Sequence, residues 1–260
     1  MIRIKKYNDL TSAAIKSCFA IFCAALIILN SCDSGFPDDC FKNTGELVWE
    51  NREIASFKTI LLTDNVDLYI YPDTFNFARV YAGENLIDKV ITEINDTILV
   101  IKNTNTCNWT RDYKKPIEVH LNTKTLQRIE YQGYGNIKTM SPIEGHSFRI
   151  RIIEGHGNVK IESATRHVTL SYQSGTADVS FQGEKIVYLG IFNGGLGVVN
   201  SLEMDCNIVY INHMSNNNAF INAKDSIITE IHMNGNVYYK GNPAIRLAGR
   251  YGEGDIYKID

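Results

Sequence analysis

EYQGYGNIK (130–138) and IIEGHGNVK (152–160) are two copies of one turn. The copies continue as YQSGTADVS (172–180), FNGGLGVVN (192–200), MSNNNAFIN (214–222) and HMNGNVYY (232–239). Taking Ile137, Val159, Val179, Val198, Phe220 and Val237 as the apolar residues that close each turn gives steps of 22, 20, 19, 22 and 17 residues. Short apolar runs broken by Gly and Asn at a period near 20 are the pattern of a stacked solenoid, in which each unit buries its apolar face only against its neighbours.

The runs between the turns carry β-branched and aromatic residues, among them Phe148–Ile153, Val168–Tyr172 and Ile227–Ile231. Such residues suit a pleated, half-buried surface. The chain has 14 Tyr and only 5 Pro, and no stretch after residue 31 holds helical spacing for three turns. The fold expected is all-β, a right-handed parallel β-helix with coils of about 20 residues. Small residues in GYGN, GHGN and SGTAD are read as positions of positive φ, which Gly accepts freely and Asn or Asp tolerate. Asn136, Asn158 and Asp178, each just before a closing residue, would come into register at the strand spacing of about 4.8 Å and hydrogen-bond along the stack.

Outside the repeats, Asp67–Tyr71 and Thr97–Lys102 alternate as strands do. Residues 53–125 are therefore expected to form the first coils of the same solenoid, with Glu84–Thr92 a short helical turn or another strand. The segments 40–56 and 246–260 are the candidate end caps.

The first 31 residues form a separate device. Arg3, Lys5, Lys6 and Lys16 precede a 13-residue apolar run, Ser17 to Leu29. That run is too short to span a bilayer and suits the apolar core of a secretion signal. It ends at Leu29-Asn30-Ser31-Cys32, which resembles a bacterial lipobox with Cys32 as the lipidated residue. The alternative is ordinary secretory cleavage near Ser31. The expected organisation is a lipoprotein signal peptide over 1–31, a lipidated Cys and tether over 32–52, and the β-helix domain over 53–260. Acidic residues behind Cys32, in DSGFPDD (33–39), resemble surface-export signals of some Gram-negative lipoproteins; a solvated linker is the alternative.

Removing the leader takes four basic residues and one acidic residue, leaving 22 basic against 28 acidic, a net charge of −6. No basic stripe for a nucleic acid is left. The partners expected are the membrane, through the anchor, and a glycan or protein at the surface. Cys18 and Cys23 leave with the leader and Cys32 is taken by lipid, so Cys40, Cys107 and Cys206 remain as thiols or bridge partners. Cys40 and Cys107 lie in polar loops outside the repeats and are the candidate disulfide of an exported chain. Neither CxxC nor HxH spacing supports a metal, and no cofactor is expected.

Several segments together resemble the adhesin family that carries the head GIN domain. They are the GYGNI and GHGNV corners, FKTILLTDNVDLYI (57–70), AGENLIDKVITEINDTILVIKN (82–103), Cys107 to Tyr113 with Trp109 and Arg111, and GNVYYKGNPAI (235–245). The resemblance runs over essentially the whole chain from residue 53. It implies a lipid-anchored or secreted envelope protein with the right-handed β-helix fold, of a family with no established enzymatic activity, and it transfers no functional residues. The repeats FNGGLGV and MSNNNAF depart from GxGN, so their corners are expected to be irregular.

No two acidic residues align before successive corners, and no nucleophile motif or Ser/His/Asp order stands out. Lys138 and Lys160 align one coil apart. Tyr134, set between two glycines, is the candidate ligand-contacting residue, because an exposed ring can pack on a sugar or a protein. The function expected is a non-catalytic adhesion or binding module of the outer membrane or cell surface. A polysaccharide-acting β-helix enzyme and a purely structural envelope protein are the alternatives.

Overall fold

The computed structural model describes residues 43–108 and 115–260. In chain order the first strands are β1 (Leu47–Glu53), β2 (Thr59–Asp64), β3 (Val66–Pro72), β4 (Phe77–Gly83), β5 (Val90–Asn95), β6 (Ile98–Asn103) and β7 (Ile117–Thr123). The repeats supply β8 (Arg128–Gly133), β9 (Ile137–Thr139), β10 (Ser147–Ile152), β11 (Asn158–Glu162), β12 (His167–Tyr172), β13 (Asp178–Asn193) and β14 (Val199–His213). The last are β15 (Ala219–Asn222), β16 (Ser226–Ile231), β17 (Val237–Lys240), β18 (Ala244–Arg250) and β19 (Ile256–Lys258). All join in one hydrogen-bonded network, a parallel β-solenoid.

Two columns of strands make the stack. In the first, β6, β2, β8, β10 and β12 pair in parallel and continue through the second halves of β13 and β14 into β16 and β18. The second column runs β7, β3, β9, β11, the first halves of β13 and β14, then β15, β17 and β19. Alternation within each strand turns one face inward. In β7, Ile117, Val119 and Leu121 are buried while Glu118, His120 and Asn122 face out.

Inward residues form rows along the stack. One row is Leu99, Ile60, Ile129, Ile150, Leu170, Ile191 and Ile211, all buried. Each such side chain contributes roughly 2 kcal/mol by leaving water, which is why the coil period is held so closely. A second row corrects the expected register: Val179 pairs with Val199, Val199 with Ala219, and Ala219 with Val237. The closing residues of the fourth and fifth turns are therefore Val199 and Ala219, not Val198 and Phe220. In GLGVV and NNNAF two adjacent residues could each close the turn, and the alternation of β14 and β15 decides between them.

The N-terminal coils are not stacked in chain order. The coil built from β2 and β3 lies between the coil of β6 and β7 and the coil of β8 and β9. The chain then reverses: β4 runs antiparallel to β7, β1 antiparallel to β4, and β5 antiparallel to β6. These antiparallel strands cover one end, so Leu47–Glu53, the strand within the expected 40–56 segment, does supply part of a cap. A short 3-10 turn, Ile87–Lys89, leads into β5. The expected second cap is not one. Residues 246–260 continue the stack as β18 and β19, leaving Ile245 and Leu247 of the inward rows exposed.

The corner glycines act through space rather than φ. Gly135, Gly157 and Gly197 do not have positive φ, although Gly175 does (φ +113°). A Cβ on Gly157 would sit 2.1 Å from the carbonyl oxygen of Gly135, and one on Gly197 1.8 Å from that of Ala177. Each corner rests on the backbone of the corner before it, and a side chain would lift the coil off.

Candidate functional site

Outward residues of the second column form one continuous row. Across successive strands it reads Asn51, Arg79, His120, Tyr69, Lys138, Lys160, Ser180, Asn200, Phe220, Tyr238 and Tyr257. Ten strand spacings make a face on the order of 48 Å long. Aromatic rings and the Arg79 guanidinium gather near the capped end, lysines, Ser180 and Asn200 occupy the middle, and aromatic rings close the other end.

The capped end holds a cleft of about 650 Å³ lined by Tyr71, Phe75, Phe77, Arg79, Tyr81, His120 and Asn122. Its floor is the mixed sheet of β4, β7 and β3, whose alternation sends Phe77, Arg79 and Tyr81, then His120 and Asn122, then Tyr69 and Tyr71 outward. His120 stands at the centre. Its ring stacks on Tyr69 at 4.7 Å and on Tyr71 at 5.8 Å, and meets Tyr81 edge-on at 5.1 Å.

Both imidazole nitrogens are engaged. Nδ1 lies 3.0 Å from the Tyr71 hydroxyl and Nε2 lies 3.2 Å from Glu118 Oε2. The carboxylate can only accept, so Nε2 donates to it. In the neutral ring, Nδ1 then accepts from Tyr71. Burial, followed by the nearby Glu118 charge, raises the Tyr69 pKa, and burial followed by Tyr81 raises that of Tyr71. Both hydroxyls stay protonated at neutral pH.

At the rim, Asn122 donates to Asp73 Oδ2 at 2.9 Å. The Thr74 backbone N–H and then Asn122 hold the Asp73 carboxyl below its ordinary pKa. Arg79 donates from Nε to Asn51 Oδ1 at 3.0 Å, and its guanidinium lies 5.0 Å from the Trp49 ring centre. Trp49 and Phe75 are 57% and 53% exposed.

Next along the row comes a groove of about 390 Å³, lined by Lys138, Lys160, Glu162, Ser180, Gln182 and Glu203 among others. The register places Lys138 directly beside Lys160, as the repeat spacing predicts. At the far end Phe220 stacks on Tyr238 at 5.3 Å, and Tyr238 lies 5.7 Å from Tyr257.

Tyr134 is 67% exposed, on the corner rather than on this face, and stacks on His156 at 4.9 Å. His156 in turn reaches Thr176 Oγ1 at 3.1 Å. Tyr134 is not part of the aromatic cleft. Tyr131 and Tyr172 are inward core residues. Cys32, the expected lipidation site, and Cys40, the expected partner of Cys107, lie outside the described residues. Cys206 is a buried thiol, pushed up to about 11 by burial. Among the described residues no group of three metal-capable side chains converges.

Sequence reasoning missed the cleft. Each of its strands alternates visibly, as DLYIY, FARVY and EVHLN, but nothing in those stretches says that the three lie side by side.

No curated protein matches the chain. A solved structure described as a putative adhesin, from Bacteroides fragilis NCTC 9343, is 20% identical with a TM-score of 0.71, covering 82% of this chain and 97% of that one. A putative adhesin from Parabacteroides distasonis ATCC 8503 is 18% identical, with a TM-score of 0.60 over 83% of this chain and 98% of its own. A protein from the same organism described as a putative lipid binding protein is 16% identical, with a TM-score of 0.59 over 84% and 98%. At these identities the likeness shows a shared fold. The family model described as "Putative auto-transporter adhesin, head GIN domain" matches residues 56–243, and the chain belongs to that family.

Proposed function

We propose that this protein is a non-catalytic binding module of the bacterial envelope, held at the membrane through lipid on Cys32. The continuous outward row from Asn51 to Tyr257 is the observation that carries this reading. A flat face with aromatic groups at both ends and amides and lysines between them suits an extended polymer or a protein surface better than a small enclosed substrate. Family membership as an adhesin supports the same reading, as does the leader ending at Cys32, since lipid chains on that residue would meet the need for more than one membrane anchor.

Cleavage of a polysaccharide is the second reading. It would have to use the groove at Lys138, Lys160, Glu162 and Glu203, where basic and acidic side chains line one space. The test applies the full chain, purified in detergent, to glycan and protein arrays beside a polysaccharide turnover screen. Specific binding without turnover is the expected result. Release of new sugar ends, abolished by Glu162→Gln, would replace the binding reading with the enzymatic one. The anchor is tested by growth with a fatty-acid analogue, which should label the wild type and leave Cys32→Ala unlabelled.

A further inference from the structure

We propose that the cleft at the capped end binds a pyranose ring of an oligosaccharide, an inference that rests on the binding-module reading and gives it a site and a ligand class. A sugar ring presents apolar C–H faces and a rim of hydroxyls, and the cleft offers a partner for each. Tyr71, Phe75, Phe77 and Tyr81 present aromatic surface, and Arg79 and Asn122 add hydrogen-bonding groups to the same lining. In the register Tyr71 and Phe77 flank Asn122 on the two neighbouring strands. Their backbone positions are thus on the order of 10 Å apart, with Asn122 on the strand between them.

The polar groups are oriented and still have capacity. Asn122 is held by Asp73 through Nδ2, leaving its carbonyl oxygen available. Arg79 is fixed through Nε by Asn51, and its terminal nitrogens have no hydrogen-bond partner among the described residues. His120 is held in the floor by Tyr71 and Glu118. A volume of about 650 Å³ lies within the range of small-ligand sites, about 300–1,000 Å³.

Other occupants fit less well. An acyl chain would cover the Arg79 and Asn122 groups without pairing them, which costs free energy. A nucleic acid would meet the Glu118 and Asp73 carboxylates at the same place. Exposed Trp49 and Phe75 beside the cleft are the kind of apolar surface that marks a binding site.

The test titrates the full chain in detergent with cellohexaose, mannohexaose and hexagalacturonate, followed by calorimetry. The first two are neutral and the third acidic, so the same titrations show which kind of sugar is preferred. Binding of at least one is expected, weakened about tenfold or more in Phe77→Ala and in Arg79→Ala. Arg149→Ala, exposed on β10 in the other column of strands, should bind as the wild type does. Circular dichroism on each variant excludes loss of fold. Binding that survives both cleft substitutions overturns the site. No binding of any of the three at about 10 mM overturns the ligand class. In either case positive results on the wider arrays leave the binding-module reading standing, whereas blank arrays as well would remove both.

Discussion

Asn158 donates twice to a single oxygen of Asn136, the residue one coil below it. Its backbone N–H lies 3.0 Å from Asn136 Oδ1 and its side-chain amide 3.2 Å from the same atom. Asn136 repeats both bonds to Asp67 Oδ1, at 2.6 and 3.0 Å. The pattern resumes with Val198 N–H on Asp178, Asn236 N–H on Asn218 and Asp255 N–H on Asn236. An amide column thus satisfies backbone donors at the turns, where the strand ladder has stopped.

Replacing Asn158 by Ala removes the side-chain bond and should cost about 1 kcal/mol. For a chain of this size that is a fall of about 2–4 °C in melting temperature. Val198 interrupts the column, because it offers no acceptor to the Asn218 above it. Val198→Asn should restore the acceptor and raise the melting temperature by a similar amount. Thermal unfolding of both variants checks the pair. Equal and small shifts of one sign would show that the column does not contribute as described.

The corners make a sharper prediction. A Cβ on Gly157 would meet the Gly135 carbonyl at 2.1 Å and the Tyr131 hydroxyl at 2.9 Å. The Tyr131 hydroxyl accepts from the Gly157 N–H at 3.0 Å and donates to the Gly135 carbonyl. Gly157→Ala should therefore cost about 3 kcal/mol by overpacking and by loosening those bonds. His156→Ala, one residue away on the exposed side, should cost less than about 1 kcal/mol. Urea unfolding midpoints of the two variants give the comparison.

The repeat period made the solenoid legible because a coil that buries rows such as Ile129, Ile150 and Leu170 cannot change length without breaking them. It also placed Lys138 beside Lys160 and aligned Asn136 with Asn158. The exchange of coil order at the N-terminus was not legible. Residues 59–72 carry apolar alternation that would stack on any neighbouring coil, and only the antiparallel returns through β4, β1 and β5 place them between two others. The cleft was hidden for the same reason. Tyr69, Arg79 and His120 meet across strands far apart in the chain, and alternation tells which face a residue is on but not which strand lies next to it. Tyr134 stood out by its glycine neighbours, which mark a corner and not the sheet face.

Buried His213 gives a pH dependence with a definite sign. Burial lowers its pKa to about 4, with partial compensation from the Asn217 carbonyl, which Nε2 approaches at 2.9 Å. The unfolded chain, with an ordinary His near 6.5, binds the proton more readily. Stability is therefore full above about pH 6.5 and declines as pH falls from there toward 4. The loss by pH 5 is about 2 kcal/mol relative to pH 7.5 from this group. His213→Gln should be less stable at pH 7.5 yet lack that part of the decline. Urea midpoints at the two pH values test it, and an unchanged slope in the variant would rule out His213 as the source.

The cysteines give a count that separates a bridge from free thiols. In the exported chain we expect Cys32 to carry lipid and Cys40 to pair with Cys107, with Cys206 the remaining thiol. Cys206 is buried, its pKa is pushed up to about 11, and its Sγ lies 3.1 Å from the Ile208 carbonyl. It should resist alkylation in the folded protein, because the thiolate is the reactive form. Denaturant without reductant should then expose one thiol per chain, and denaturant with reductant three. The bridge would join positions 67 residues apart in the sequence and stabilise the fold by about 4 kcal/mol on the loop-entropy model. Reduction should thus lower the urea midpoint of the wild type but not that of Cys40→Ser. Three thiols in denaturant before any reductant is added would show that Cys40 and Cys107 are not paired, and the midpoint should then be indifferent to reductant in both proteins.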